Sequence, residues 1–266
     1  MHAEGRLFYR MTLTQRVQHL LITVTFSIQV LTGLPLKFAG YPWTQPLINL
    51  FGGVFMAGRI HRTSGLLMLL SFIYTSIYLV ITTAQKCRIL FRERPPENLM
   101  DGLVKVGLVI YNLPCFPTAK DGKDVVDFFK YATFPSKYKK PDYDKFCWKE
   151  KFDYLAVFWG VPVFTATGLM MWFPAFFTNL GLPPVFLNAA LVIHTYETVL
   201  AAAVIFIWHF YNVIFAPEKF PMDNMVLTGV ISEEHMLEEH SYEYRRIMTE
   251  EGPDSPSIVR DKHYHR

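Results

Sequence analysis

Four histidines, His19, His61, His194 and His209, lie within or at the edge of long apolar runs. The other five, His2, His235, His240, His263 and His265, fall in polar segments and are read as exposed side chains. The most informative context is Asn188 to Phe215, almost wholly apolar, with Glu197 as its single formal charge and His194 and His209 fifteen residues apart. A helix advances ~1.5 Å and turns ~100° per residue, so the second imidazole lies ~60° around and ~22 Å further along. Ionisable side chains inside a membrane are costly and therefore functional by default. Two imidazoles on roughly one face, near opposite ends of such a helix, could each hold a haem iron; the alternative is a pair of interfacial histidines.

The elements that would position them are membrane helices. Hydrophobic residues make up 51% of the 266-residue chain and aromatics 16%, and the mean hydropathy is +0.19, which together point to the membrane class. Stretches with almost no charge predict spans at about 17–36, 61–84, 152–173 and 187–215, the first closed by Gly33 and Pro35 and the third containing Pro162. Basic residues are unevenly spread. The N-terminal arm carries Arg6, Arg10 and Arg16, the link from Gln85 to Asp153 has fourteen Lys and Arg, and the tail after Ala216 has six. The opposite side holds only Lys37, Arg59 and Arg62. Positive residues favour the cytoplasm, so both termini and the long link are expected there. The net charge of +3 does not suggest nucleic acid.

That topology sorts the four histidines by depth. His19 and His209 fall in a cytoplasmic layer, His61 and His194 in an outer one. Two facing imidazoles per layer are what two stacked bis-histidine b haems in a four-helix bundle require. Neutral imidazoles also avoid burying charge in lipid. Covalent c-type attachment is excluded because no Cys-x-x-Cys-His occurs, and Cys87, Cys115 and Cys147 are too scattered for an iron–sulfur cluster. Gly33, Gly65 and Gly168 could let a macrocycle approach or simply serve helix packing. Arg59 and Arg62 for the outer haem, and Arg16 for the inner one, are either propionate partners or snorkelling cations. Glu197, one turn from His194, could hydrogen-bond a ligand histidine, relay a proton or line the helix uncharged.

Between the second and third spans, Asn98 to Asn112 and Asp121 to Tyr131 read as short helices inside a solvated cytoplasmic link, 85–151. The division expected is a membrane domain at 1–216 and a polar, extended cytoplasmic tail at 217–266.

Arg16-Val17-Gln18-His19, Gly58-Arg59-Ile60-His61-Arg62, Glu150-Lys151-Phe152-Asp153-Tyr154 with Thr167-Gly168, and the stretch from His194 through His209 carry a resemblance. The chain resembles the di-haem cytochrome b subunits of membrane-bound formate dehydrogenase, with related hydrogenase, thiosulfate reductase and b561-type proteins. The resemblance implies two b-type haems with His19, His61, His194 and His209 as axial ligands. It also implies electron transfer across a prokaryotic cytoplasmic (inner) membrane, between a quinone such as menaquinone or ubiquinone and an extracytoplasmic partner. Cys147-Trp148-Lys149-Glu150-Lys151 departs from the Asn-Ala-Gly-Gln-Lys-like stretch of formate dehydrogenase relatives. The long link and tail look more like members that work with multihaem c-type cytochromes; an iron–sulfur subunit is the other partner implied, in a hetero-oligomeric complex. The resemblance places the quinone near His209, where Asn212 either hydrogen-bonds a quinone carbonyl or caps the helix end. Two rivals remain: a haem-free membrane anchor or transporter, and an ascorbate-type transmembrane reductase.

Overall fold

The computed structural model describes residues 6–216, 219–220 and 222–259; His2, His263 and His265 lie outside them. Strand β1 (Leu7–Tyr9) leads into helix α1 (Leu13–Lys37). Thr12 and Gln15 start that helix reciprocally: the Gln15 N–H donates to the Thr12 hydroxyl at 3.2 Å and the Thr12 N–H to the Gln15 side-chain oxygen at 2.9 Å, the capping-box arrangement. Pro35 does not end α1 as expected but sits buried inside its last turns. A proline there forfeits one backbone hydrogen bond, which lipid-embedded bundles tolerate. After a short α2 (Gln45–Leu50), α3 runs from Val54 to Glu93. Its forty residues correspond to about 60 Å, twice what the hydrocarbon core needs. No proline or glycine interrupts the chain between Gly65 and Pro95-Pro96, so nothing local ends the helix where the apolar run does.

The link then forms α4 (Leu99–Tyr111) and α5 (Ala119–Thr133), close to the two short helices expected. The Asn98 side chain caps α4 by accepting from Asp101 N–H, and Thr118 with Asp121 closes a capping box on α5. Helix α6 (Trp148–Trp172) carries Pro162 internally; α7 (Pro174–Asn179) is short; α8 (Pro184–Ala203) continues as π-helical turns at Val204–His209 and Tyr211–Phe215. The tail contributes α9 (Met225–Thr228), β2 (Val230–Ser232), α10 (Glu233–Glu239), α11 (Ser241–Arg246) and β3 (Ile258–Val259).

Four helical segments, Leu13–Lys37, Val54–Glu93, Trp148–Trp172 and Pro184–Phe215, are long and apolar enough to cross a membrane. Only 6–22% of their most apolar stretches is buried within the protein, and many of their large apolar side chains, such as Leu20, Leu70, Trp159 and Ile207, are exposed. Most of what is buried there is small or hydroxylic (Thr25, Thr32, Ala57, Ser64, Ser71, Gly160, Thr167 and Ala190), beside Val30, Pro35, Met68 and Val161. That is the packing logic of membrane helices, where small residues let backbones approach and hydroxyls bond across or along helices. The Ser64 hydroxyl, for instance, donates to the Thr25 carbonyl at 2.9 Å.

The chain forms two compact units. One, Val17–Ile77 with Ala156–Asp223, holds the bundle and all four histidines of interest. The other comprises Met1–Arg16, Tyr78–Leu155 and Asn224–Arg266. In it, β1 pairs antiparallel with both β2 and β3, in the order β2-β1-β3, over a core of Phe8, Ile231, Met236 and Ile247. The tail is therefore not extended: among the described residues it packs on the N-terminal arm. His240 is likewise not exposed. It is 4% exposed, with a ring nitrogen 2.8 Å from the Asp144 carbonyl and another 3.1 Å from the Arg10 guanidinium. Arg10 also donates to the Lys145 carbonyl and pairs with buried Glu243.

Candidate haem sites

The bundle brings the four histidines together in two pairs. The ring centres of His19 and His209 are 6.2 Å apart with planes at 37°, and those of His61 and His194 are also 6.2 Å apart, with planes at 67°. This separation leaves room for one ion between the two rings of each pair. A metal–imidazole bond is about 2.0–2.1 Å, and a ring centre lies about 1.2 Å from its own nitrogen. Two imidazoles on opposite sides of one ion therefore have centres about 6.4 Å apart. Direct stacking or hydrogen bonding would bring them closer. Among the described residues, no three His, Cys, Asp or Glu side chains come together as a metal cluster. A bare ion needs more than two protein ligands, whereas a macrocycle supplies four and asks for two. The donor sets fit haem and do not fit a protein-only metal site.

Around His61 and His194 the bundle also leaves space. Both imidazoles line a partly open cavity of about 210 Å³, together with Gln29, Arg62, Gly65 and Gly168. Each ring is held from a neighbouring helix. Thr32 of α1 has its hydroxyl 3.1 Å from His61 Nδ1, and Thr167 of α6 has its hydroxyl 2.8 Å from His194 Nδ1. The next residue is glycine in both cases. A Cβ on Gly33 would stand 2.9 Å from His61 Cε1, and one on Gly168 3.4 Å from His194 Cε1. These two glycines clear space for the imidazoles, while Gly65 faces Gln29, whose side-chain oxygen would be 3.5 Å from an added Cβ. Phe164 completes the setting, edge-on to the His194 ring at 5.4 Å.

The remaining expected residues are placed as follows. Arg62 lines the cavity with its guanidinium 5.5 Å from the centre of the Trp172 ring. Arg59 lies 5.8 Å from the centre of Phe55. Arg16 belongs to the other unit, where its Nη1 donates to the Thr228 carbonyl at 3.1 Å. Among the described residues neither His61 nor His194 is hydrogen-bonded to Glu197; their Nδ1 atoms face the threonines. The Asn212 amide donates to the Trp208 carbonyl one turn back at 2.8 Å. Lys149 and Lys151 are engaged in their own unit, over Phe128 and with Asp121 respectively. His209 lies in a π-helical turn, a feature frequent at functional sites because it re-aims side chains.

Sequence reasoning missed the roles of Thr32 and Thr167, and the π turn. A signal for the first two exists: Thr-Gly-Leu occurs at 32–34 and again at 167–169, on the first and third apolar helices.

Four membrane-length helices enclosing two facing imidazole pairs are the frame of a multi-pass membrane cytochrome. The family model for prokaryotic cytochrome b561 matches residues 10–227, most of the chain and all four of these histidines. The chain belongs to the prokaryotic cytochrome b561 family, and is accordingly a multi-pass membrane cytochrome b of electron transfer that binds b-type haem. No curated protein matches it.

Proposed function

We propose that the chain holds two b haems, one between His19 and His209 and one between His61 and His194, and conducts electrons between a quinone pool and an extracytoplasmic redox partner. The observation that carries this reading is the 6.2 Å centre-to-centre separation repeated in both pairs. When bound, each haem would supply a one-electron carrier suited to electron transfer rather than oxygen chemistry. The chain's own work is to orient the imidazoles, exclude water with lipid-facing helices and hold the macrocycle's carboxylates. Arg62, which lines the cavity beside His61, is the propionate partner we propose for that haem. Arg59 is proposed in the same role, although its contact to Phe55 already orients it.

The quinone site is placed beside the His19/His209 pair. Asn212 lies three residues after His209, and with its amide committed to Trp208 its side-chain oxygen is the atom able to accept from a quinol hydroxyl. Gln18, next to His19, has a buried amide nitrogen without a hydrogen-bond partner among the described residues, a donor suited to a quinone carbonyl. The basic residues of the arm, link and tail support an orientation with both termini cytoplasmic, which puts this pair on the cytoplasmic side and His61/His194 on the outer side. The partner is a multihaem cytochrome c or an iron–sulfur subunit in a hetero-oligomeric complex, and the membrane is the prokaryotic inner membrane.

The test is addition of a menaquinol or ubiquinol analogue to the purified, oxidised protein while the visible spectrum is followed. Reduction of haem bands supports the conduit. A protein that binds no haem on reconstitution is instead an anchor or transporter. Reduction by ascorbate but not by quinol favours the transmembrane reductase.

A further inference from the structure

The His61/His194 pair is built with a repeated device. On α1, Thr32-Gly33 faces His61; on α6, Thr167-Gly168 faces His194. In each case the threonine hydroxyl meets Nδ1 and the glycine opens the space against Cε1. The hydroxyl has one proton to give, and a carbonyl of its own helix takes it. Thr32 donates to the Ile28 carbonyl at 2.6 Å, and Thr167 to the Val163 carbonyl at 2.6 Å. What remains for the imidazole is a lone pair, so Nδ1 must be the protonated nitrogen that donates, and Nε2 carries the lone pair. Both threonines are buried, at 0% and 6% exposure, so water does not compete for these bonds.

We propose that Thr32 and Thr167 are positioning residues that lock His61 and His194 in the tautomer whose Nε2 binds iron and that tune the potential of the haem between them. This rests on the haem-ligand reading of that pair. A metal-bound imidazole whose other N–H donates a hydrogen bond is fixed in orientation and becomes a stronger electron donor to the metal. Stronger donation stabilises the ferric over the ferrous state, so the two hydroxyls hold the potential of this haem down. Neither hydroxyl is near enough in sequence to mark it as a partner of its histidine; the juxtaposition is a property of the bundle.

The experiment is a redox titration of the full-length purified protein by visible spectroscopy. It is run on the wild type and on Thr32→Val, Thr167→Val, Thr32→Ser, Thr167→Ser and His61→Ala. The component missing in His61→Ala identifies the haem concerned. Each valine variant, isosteric but without the hydroxyl, is expected to move that component alone to a higher potential. The expected change is several-fold to tenfold in its one-electron equilibrium, up to about 59 mV for the tenfold case. Serine should restore the wild-type value. Unchanged potentials in both valine variants with the haem retained would overturn the proposal, as would equal shifts of both components or serine variants that behave like valine. Should valine cost the haem outright, retention by serine supports the hydroxyl's role and loss in serine contradicts it. A wild type lacking a component that depends on His61 would instead fail the ligand reading itself. The glycines give an independent check. Alanine at 33 meets the ring at 2.9 Å and alanine at 168 at 3.4 Å, so Gly33→Ala should perturb the low-spin spectrum more than Gly168→Ala; the reverse order counts against this seating of the imidazoles.

Discussion

Replacing Arg10 by Met should loosen the unit formed by the arm, the link and the tail, by an amount the structure sets. The Arg10 and Glu243 side chains are 2% and 7% exposed and paired. Arg10 also reaches the Lys145 carbonyl and His240, so one guanidinium ties together segments more than a hundred residues apart. Burial pushes the Glu243 carboxyl above its ordinary value, while Arg10 and Lys145 pull it back down. Deleting one member of a buried pair costs about 3–5 kcal/mol because the other charge is left uncompensated. Partial protonation of Glu243 in the variant moves the cost toward the lower end. At 1.4 kcal/mol per tenfold, even 3 kcal/mol opens the unit roughly a hundredfold more often. The readout is hydrogen exchange of the amides of Tyr9 and Arg10, which donate to Ser257 and Gly229 at 2.8 Å in the native unit. Arg10→Met should speed their exchange by about a hundredfold or more, and the apolar double variant Arg10→Met/Glu243→Leu should recover most of it. Exchange within a few-fold of wild type in the single variant, or no recovery in the double, would refute the reasoning.

Other outcomes follow from the same geometry. Reporter fusions after Leu90 or Lys137 should read as cytoplasmic and fusions near Gln45 or Asn179 as external; the opposite result at Asn179 breaks the orientation. Asn212→Leu should leave the haem spectrum intact and slow quinol-driven reduction, and unchanged kinetics would move the quinone elsewhere. Asp121 is disfavoured as an anion by burial, but Lys151 and Thr118 outweigh this and hold its carboxyl below the usual 3.8. A lowered carboxylate contributes stability that is present above pH 3.8 and lost as the pH falls through the folded-state value. Asp121→Asn should therefore flatten the acid limb of α5 protection in hydrogen exchange, and an identical acid limb would argue against this pairing.

The bundle was largely legible because its signals are local. A run of about twenty apolar residues is a span wherever it occurs, and the depth of each histidine follows from its place in the run. What escaped depends on residues distant in sequence. The strands Leu7–Tyr9, Val230–Ser232 and Ile258–Val259 are too short for alternation to register, and each finds its partner across most of the chain. His240 read as exposed because its segment is polar; its burial comes from Arg10 and from the Lys145 segment of the link, which no local pattern reports. Thr32 and Thr167 are unremarkable singly, and only their repetition in Thr-Gly-Leu hints at a shared task. The end of α3 was misplaced because charge ends a membrane run but not a helix: six of the nine residues from Gln85 to Glu93 are Gln, Lys, Arg, Leu or Glu, good helix formers, and the helix stops just before Pro95-Pro96.

The most direct measurement of the central proposal is a haem count per chain, with spin state, on the wild type, His19→Ala and His61→Ala. Two low-spin b haems in the wild type and one in each variant, with different spectra remaining, is the expected result. Two low-spin haems retained in either variant, or one haem lost to both substitutions alike, would contradict the two-pair arrangement.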